Sequence, residues 1–203
     1  MAWPTALPLI AILRGITPED VVEHVEALLQ EGFDAIEIPL NSPDWQTSIP
    51  LAVQQAGHRA LVGAGTVLSA DLANQVADLG GTLMVTPNTD PDVIRQARRR
   101  GLYTAIGFMT PSEAFAALAA GAQSLKLFPS SNLGPSYIKA IRAVLPPDVP
   151  LLAVGGVTPE NLGQFLDAGC IGAGLGGDLY KPGQPVSRTR EQAAAFVKAY
   201  RSN

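Results

Sequence analysis

The chain has 203 residues, and its 14 Lys and Arg against 18 Asp and Glu leave a formal net charge of −4, so it has no positive excess to meet a nucleic-acid backbone. Its 47% hydrophobic and 16% charged residues, against roughly 25% charged in an average domain, can fill a sizeable core and exclude intrinsic disorder. The length, at about 150 residues per domain, and the lack of any Ser-rich, Pro-rich or charged linker predict one domain over 1–203.

In chain order, Met1 to Ile10 carries two prolines and no basic n-region followed by a cleavage site. No later apolar run reaches the roughly 18–20 residues that span a bilayer, so a cytoplasmic protein without a membrane partner is expected. The first apolar run, LPLIAILR from Leu7, reads as a strand. A helix follows, with Thr17 as N-cap, Pro18 at its first position and His24 in its polar part. Further runs are AIEIPL from Ala35, ALVGAG from Ala60, LMVTP from Leu83 and YTAIGF from Tyr103, then SLKLFP from Ser124, LLAVGG from Leu151 and IGAGLG from Ile171. Glycines 32, 57, 80, 101, 121 and 169 each close a helix-like stretch just before one of these runs. Thr110-Pro111 and Thr158-Pro159 open two more helices, the first with Glu113 placed for a capping box. Arg98-Arg99-Arg100 reads as a solvated helix end that complements the dipole, and three basic residues without interleaved aromatics make no nucleic-acid patch.

Most of the eight runs are nearly continuous in apolar character, which suits parallel strands buried on both faces. Eight units of roughly 20–25 residues favour closure over an open doubly wound sheet. The predicted fold is α/β, a single small (β/α)8 or TIM barrel.

A few ionisable groups fall where such strands should be dry, and an unpaired buried charge is costly. Alternation in Ser124-Leu125-Lys126-Leu127-Phe128 sends Leu125 and Leu127 to the helices and Lys126 inward. Desolvation there would lower its pKa and free a nucleophilic amine. Glu37, between the helix-facing Ile36 and Ile38, points to the same interior. The pair fits either proton transfer beside a reactive amine or a silent ion pair, and position alone does not separate them. Arg14 ends strand one and offers a fork to a carboxylate or phosphate, while Thr66 ends strand three as a site residue or a helix cap. Gly155-Gly156 and Gly176-Gly177 follow strands seven and eight, where barrels often bind phosphate. His24 and His58 lie in unrelated places, so no metal is expected, and the single cysteine, Cys170, excludes an intrachain disulfide and reads as inert packing.

Gly63-Ala64-Gly65-Thr66-Val67, Met109-Thr110-Pro111-Ser112-Glu113, Leu125-Lys126-Leu127-Phe128-Pro129 and Gly155-Gly156-Val157 resemble the class I keto-deoxy-phosphosugar aldolases, from about Leu9 to Leu179. The segments Ile12–Pro18, Glu37–Pro43 and Phe128–Ser131 are similar to the branch acting on the galactonate-derived isomer. The resemblance implies a barrel, commonly a homotrimer, that needs no cofactor and cleaves a phosphosugar acid to pyruvate and D-glyceraldehyde 3-phosphate. It implies imine formation at Lys126 and proton movement by Glu37. It further implies that Arg14 and Thr66 hold anionic or hydroxyl groups, and that the backbone at Gly156, Gly176 and Gly177 receives phosphate with Gly155 supporting the turn. Relatives often carry serine where this chain has Gly177, which predicts intact phosphate recognition of weaker affinity. Gluconate-selective members carry threonine at the position of Val154, so Val154 implies galactonate preference. The same chemistry on the gluconate-derived isomer, a sugar-phosphate-binding barrel without chemistry and a phosphosugar epimerase are the alternatives.

Overall fold

In the computed structural model, which describes residues 2–203, eight strands alternate with eight helices. They are β1 (Leu9–Ile12), α1 (Pro18–Gln30), β2 (Ala35–Pro39), α2 (Trp45–Ala56), β3 (Leu61–Gly65), α3 (Ala70–Asp78), β4 (Leu83–Val85) and α4 (Pro91–Arg99). The second half adds β5 (Tyr103–Phe108), α5 (Pro111–Ala119), β6 (Ser124–Leu127), α6 (Ser130–Arg142), β7 (Leu151–Val154), α7 (Leu162–Asp167), β8 (Gly172–Leu175) and α8 (Val186–Arg201). All neighbouring strands are parallel and β1 pairs with β8, with Leu9 opposite Ala173, so the sheet closes into a barrel. This is the (β/α)8 fold that the eight apolar runs predict.

Strand alternation sorts the core into two layers. Ile36, Ile38, Leu125 and Leu127 pack outward against helix residues such as Val25, Ile49 and Phe196. Ile10, Ala35, Leu83, Val85, Tyr103, Ala105 and Leu152 fill the barrel interior, with Trp3, Leu61 and Ile171 packed against them. This apolar floor leaves the polar inward positions one layer higher, toward the carboxyl ends of the strands.

The helix starts follow local chemistry with one exception. Thr110 and Glu113 form the expected capping box, and Thr17 precedes Pro18 as N-cap, although its hydroxyl turns to Asp20. The helix expected at Thr158-Pro159 begins instead at Leu162. Asn161 accepts the Thr158 N–H at 2.8 Å and donates to the Gly156 carbonyl at 2.9 Å, so a side-chain-closed turn replaces the first helical turn. Ser69, not Thr66, caps α3 by accepting from the Leu72 N–H.

His24 is also corrected. Far from a polar face, it is 2% exposed, with Nδ1 2.8 Å from the Thr189 hydroxyl of α8 and its ring edge-on to Tyr180. His24 shares the face of α1 that carries Val21, Val25 and Leu28, and the packing of α8 against α1 covers that face. His58 lies in the turn after α2, as expected. Cys170 is buried, and burial pushes its thiol up to about 12, which fits inert packing. Among the described residues, no helix is long and apolar enough to cross a membrane.

Candidate active site

Arg14, Glu37, Thr66, Lys126, Val154, Gly155, Gly156, Gly176 and Gly177 all line one cavity of about 310 Å³ at the carboxyl ends of the strands. That face carries the sites of barrel enzymes because eight βα loops converge there on rigid strand ends. Ile12, Pro87, Phe128, Gly174 and Asp178 complete most of the wall. A hollow of about 500 Å³ near Gln30, Gly32 and Arg201 contains none of the singled-out residues.

Lys126 and Glu37 enter from β6 and β2, at 6% and 2% exposure. Burial pushes the Lys126 ammonium down to about 8, helped by Arg14 and opposed by the Glu37 charge. Burial likewise pushes the Glu37 carboxyl up to about 7, against the pull of Lys126 and Arg14. No hydrogen bond or ion pair joins the two side chains, and Glu37 Oε2 is buried without a partner. A silent ion pair would close that contact, because the attraction has to offset two desolvated charges. The open geometry leaves room for a reacting group between an amine and a carboxyl, and such perturbed groups in a cleft mark functional sites. Nζ also lies 5.0 Å from the Phe128 ring centroid, a contact that keeps the amine within an apolar wall.

Space for the carboxylate comes from glycine. A Cβ on Gly65 would overlap the Glu37 carboxylate, so Gly65→Ala forces it from its position. A misplacement of about 1 Å costs on the order of 100-fold in rate, and steady-state kinetics of Gly65→Ala are expected to show a fall in kcat of that size. Full activity would mean that the carboxylate position is not critical.

Thr66 follows β3 with φ +57°, a left-handed conformation that is unusual for a β-branched residue and costs on the order of 1–3 kcal/mol. Arg14 is exposed at the end of β1, and its Nη1 donates to Asn41 Oδ1 at 2.5 Å. The next N–H, of Gly15, donates to the buried Ser42 hydroxyl at 2.8 Å. The loop after β2 thus fixes the corner after β1.

The two glycine pairs differ in physical origin. Gly155 and Gly156 have φ of +95° and +71°, and a Cβ on Gly156 would lie 2.6 Å from Ser131 Cβ, so the chain itself requires glycine there. Gly176 and Gly177 have ordinary φ, and a Cβ on either would meet nothing within 4 Å. Their lack of side chains leaves open space on the cavity side. The Leu179 and Tyr180 N–H groups donate to the Gly176 carbonyl at 2.8 and 2.9 Å, making one helical turn. Among the described residues, the N–H groups of Gly156, Gly176 and Gly177 have no acceptor within the chain, which leaves them free for an anion.

Asn41, Ser42 and Ser130 carry no sequence motif of their own, yet each holds a strand end at the cavity rim. The buried Ser130 hydroxyl donates to the Leu127 carbonyl at 2.8 Å and accepts from the Val154 N–H at 3.0 Å, tying the ends of β6 and β7 together. Short polar residues directly after an apolar strand were the available signal. No group of three or more His, Cys, Asp or Glu side chains among the described residues is placed to hold a metal ion.

A family model described as "KDPG and KHG aldolase" matches residues 3–188. The chain is 60% identical to a protein of Escherichia coli (strain K12) named 2-dehydro-3-deoxy-6-phosphogalactonate aldolase, over 99% of this chain and 98% of the relative. A solved structure described as "Native KDPGal structure" superposes with a TM-score of 0.99 at 60% identity, covering 100% of this chain and 98% of the other. Another, a cube-shaped porous cage designed by fusing symmetric oligomeric domains, gives a TM-score of 0.97 at 60% identity over 98% of this chain and 73% of the other.

Proposed function

Because the chain belongs to the KDPG and KHG aldolase family, we propose that it cleaves 2-dehydro-3-deoxy-6-phosphogalactonate to pyruvate and D-glyceraldehyde 3-phosphate through an imine on Lys126. The observation that carries the mechanism is the buried Lys126 and Glu37 facing one cavity without touching. Neutral Nζ attacks the C2 carbonyl, and Glu37 in its acid form gives a proton to the departing hydroxyl of the carbinolamine as water. The protonated imine is then an electron sink. Glu37, now a carboxylate, takes the proton of the C4 hydroxyl while the electrons of the C3–C4 bond flow into an enamine and the aldehyde leaves. Protonation of the enamine at C3 and hydrolysis of the imine release pyruvate and restore the amine. Arg14 and Thr66 hold anionic or hydroxyl groups of the substrate, and the N–H groups of Gly156, Gly176 and Gly177 receive the phosphate, with Gly155 supporting the turn. The open space over Gly177 leaves its N–H accessible but supplies no hydroxyl, which fits a somewhat weaker phosphate grip. No step calls for a cofactor or metal. Borohydride reduction in the presence of pyruvate, followed by peptide mapping, tests the reading: an adduct on Lys126 is expected, and its absence from folded, saturated protein would overturn the imine.

Galactonate preference rests on the close relative's name and on Val154, which is 4% exposed in the cavity wall. An apolar wall does not hydrogen-bond the C4 oxygen, whereas a hydroxyl there discriminates strongly between configurations. Val154→Thr is expected to move the ratio of kcat/KM for the two C4 isomers by about tenfold or more toward the gluconate-derived one. An unchanged ratio would remove Val154 from the specificity account.

We also propose a cytoplasmic homotrimer. Leu68, Met109 and Phe115 are large apolar side chains, 52%, 45% and 45% exposed, and the similar cage structure is built from symmetric oligomeric domains. Sedimentation at a single chain mass would overturn the assembly. A lone buried Cys170 fits a reducing compartment, and recovery of the protein outside the cytoplasm would overturn that placement.

A further inference from the structure

The segment between β8 and α8 carries Gly176 and Gly177, where neither a close neighbour nor a positive φ requires glycine. Free backbone N–H groups bind an anion well only where the turn that presents them is itself held in place. One side chain holds this one. Gln184 Nε2 donates to the Leu179 carbonyl at 3.0 Å and to the Thr189 hydroxyl at 2.6 Å, while Gln184 Oε1 accepts the Lys181 N–H at 3.0 Å. Both ends of the amide are therefore used, and the loop is pinned to α8.

The anchor is buried in turn. Thr189 is fully buried and His24 is 2% exposed, with Thr189 Oγ1 and His24 Nδ1 2.8 Å apart. Burial lowers the His24 pKa and so favours the neutral imidazole, and one hydrogen bond joins Nδ1 to the Thr189 hydroxyl. His24 also packs against the Tyr180 ring at 5.0 Å between centroids, and the Tyr180 N–H closes the turn on the Gly176 carbonyl. The contacts run from α1 through α8 and return to the glycine turn. None of Gln184, Thr189 and His24 lines the cavity.

We infer that Gln184, anchored by Thr189 and His24, is a positioning residue that presents the Gly176–Gly177 turn to the phosphate end of the substrate; this rests on the phosphate assignment proposed above. A group that acts only on that turn changes affinity for a phosphorylated partner and leaves the imine chemistry at Lys126 alone. A general structural prop would move both.

The test runs the reaction in the condensation direction, with pyruvate and either D-glyceraldehyde 3-phosphate or unphosphorylated D-glyceraldehyde, on the wild type, Gln184→Met, Gln184→Glu and Thr189→Val. Gln184→Met keeps the side-chain length and removes the three hydrogen bonds. It is expected to raise KM for the phosphorylated aldehyde about tenfold with kcat nearly unchanged, since each bond is worth a factor of a few. Gln184→Glu, which keeps only the acceptor for Lys181, and Thr189→Val, which removes the anchor, are expected to give about two- to fivefold. KM for the unphosphorylated aldehyde and borohydride trapping of pyruvate should stay at wild-type values in all three. Equal losses on both aldehydes, no loss on either, or a fall in trapping across the variants would overturn the inference while leaving the aldolase reading intact. A wild type that shows no preference for the phosphorylated aldehyde would overturn the phosphate assignment and this inference with it. Failure of the wild type to trap pyruvate is the separate result that removes the imine.

Discussion

Lys126→Met is expected to lower aldol cleavage by about 10⁴-fold or more, the scale seen when a covalent nucleophile is removed, and to abolish the borohydride-reducible adduct with pyruvate. Methionine keeps most of the side-chain length in a site that is 6% exposed, so the fold should survive. Removing an ammonium from an apolar wall also relieves a desolvation cost, and thermal unfolding of the variant should occur at or above the wild-type temperature. Residual activity within about tenfold of wild type would place the imine elsewhere or rule it out, because without a covalent electron sink the C3–C4 electrons have no stabilised acceptor.

Glu37→Gln is expected to lower kcat by about 10² to 10⁴, the usual range for a positioned acid–base group, and to change the shape of the pH profile. In the wild type, Glu37 is pushed up to about 7 and Lys126 down to about 8. Below about pH 7 both groups hold their protons, and an ammonium cannot attack. Between the two values the pair holds one proton, which supplies an amine and an acid once it moves from nitrogen to carboxylate. Above about pH 8 the last proton is gone and nothing protonates the departing hydroxyl. The free-enzyme profile of kcat/KM is therefore expected to be a narrow bell with limbs near pH 7 and 8, belonging to the pair rather than to either residue. Glutamine removes the charge that holds the lysine pKa up, so the variant should show one rise with pH, at a lysine titration below about 8, and no alkaline fall. A bell retained in Glu37→Gln would assign the proton transfers to another group.

Much of the candidate site was legible because strands have a period of two. Lys126 and Glu37 are flanked by apolar residues that must face the helices, which leaves only the interior for the charged side chains. The strand ends then bring Arg14, Thr66 and the glycine pairs to one rim by the topology of the fold alone. The signals that tertiary packing overrides lie outside strands. His24 is a polar residue type on the face of α1 that α8 covers, and its partner Thr189 is 165 residues away in sequence. Thr158-Pro159 carried a helix-start signal that Asn161 overrides with two side-chain hydrogen bonds. Thr66 looked equally suited to capping a helix, and its left-handed backbone carries no mark in the residue type.

The sequence by itself determined the number of βα units, the closed barrel, the residues that point inward and the resemblance to one aldolase family. These follow from local patterns in which each residue's neighbours along the chain constrain it. Only the tertiary structure decided that Glu37 and Lys126 share a cavity without pairing, that Gly65 makes room for the carboxylate and that Gln184 joins the loop after Gly176 and Gly177 to a buried threonine and histidine. The separation of two charges, the clearance above a glycine and the burial of a helix face depend on how strands and helices distant in sequence pack together. In a closed barrel those distances are fixed when the first strand meets the last.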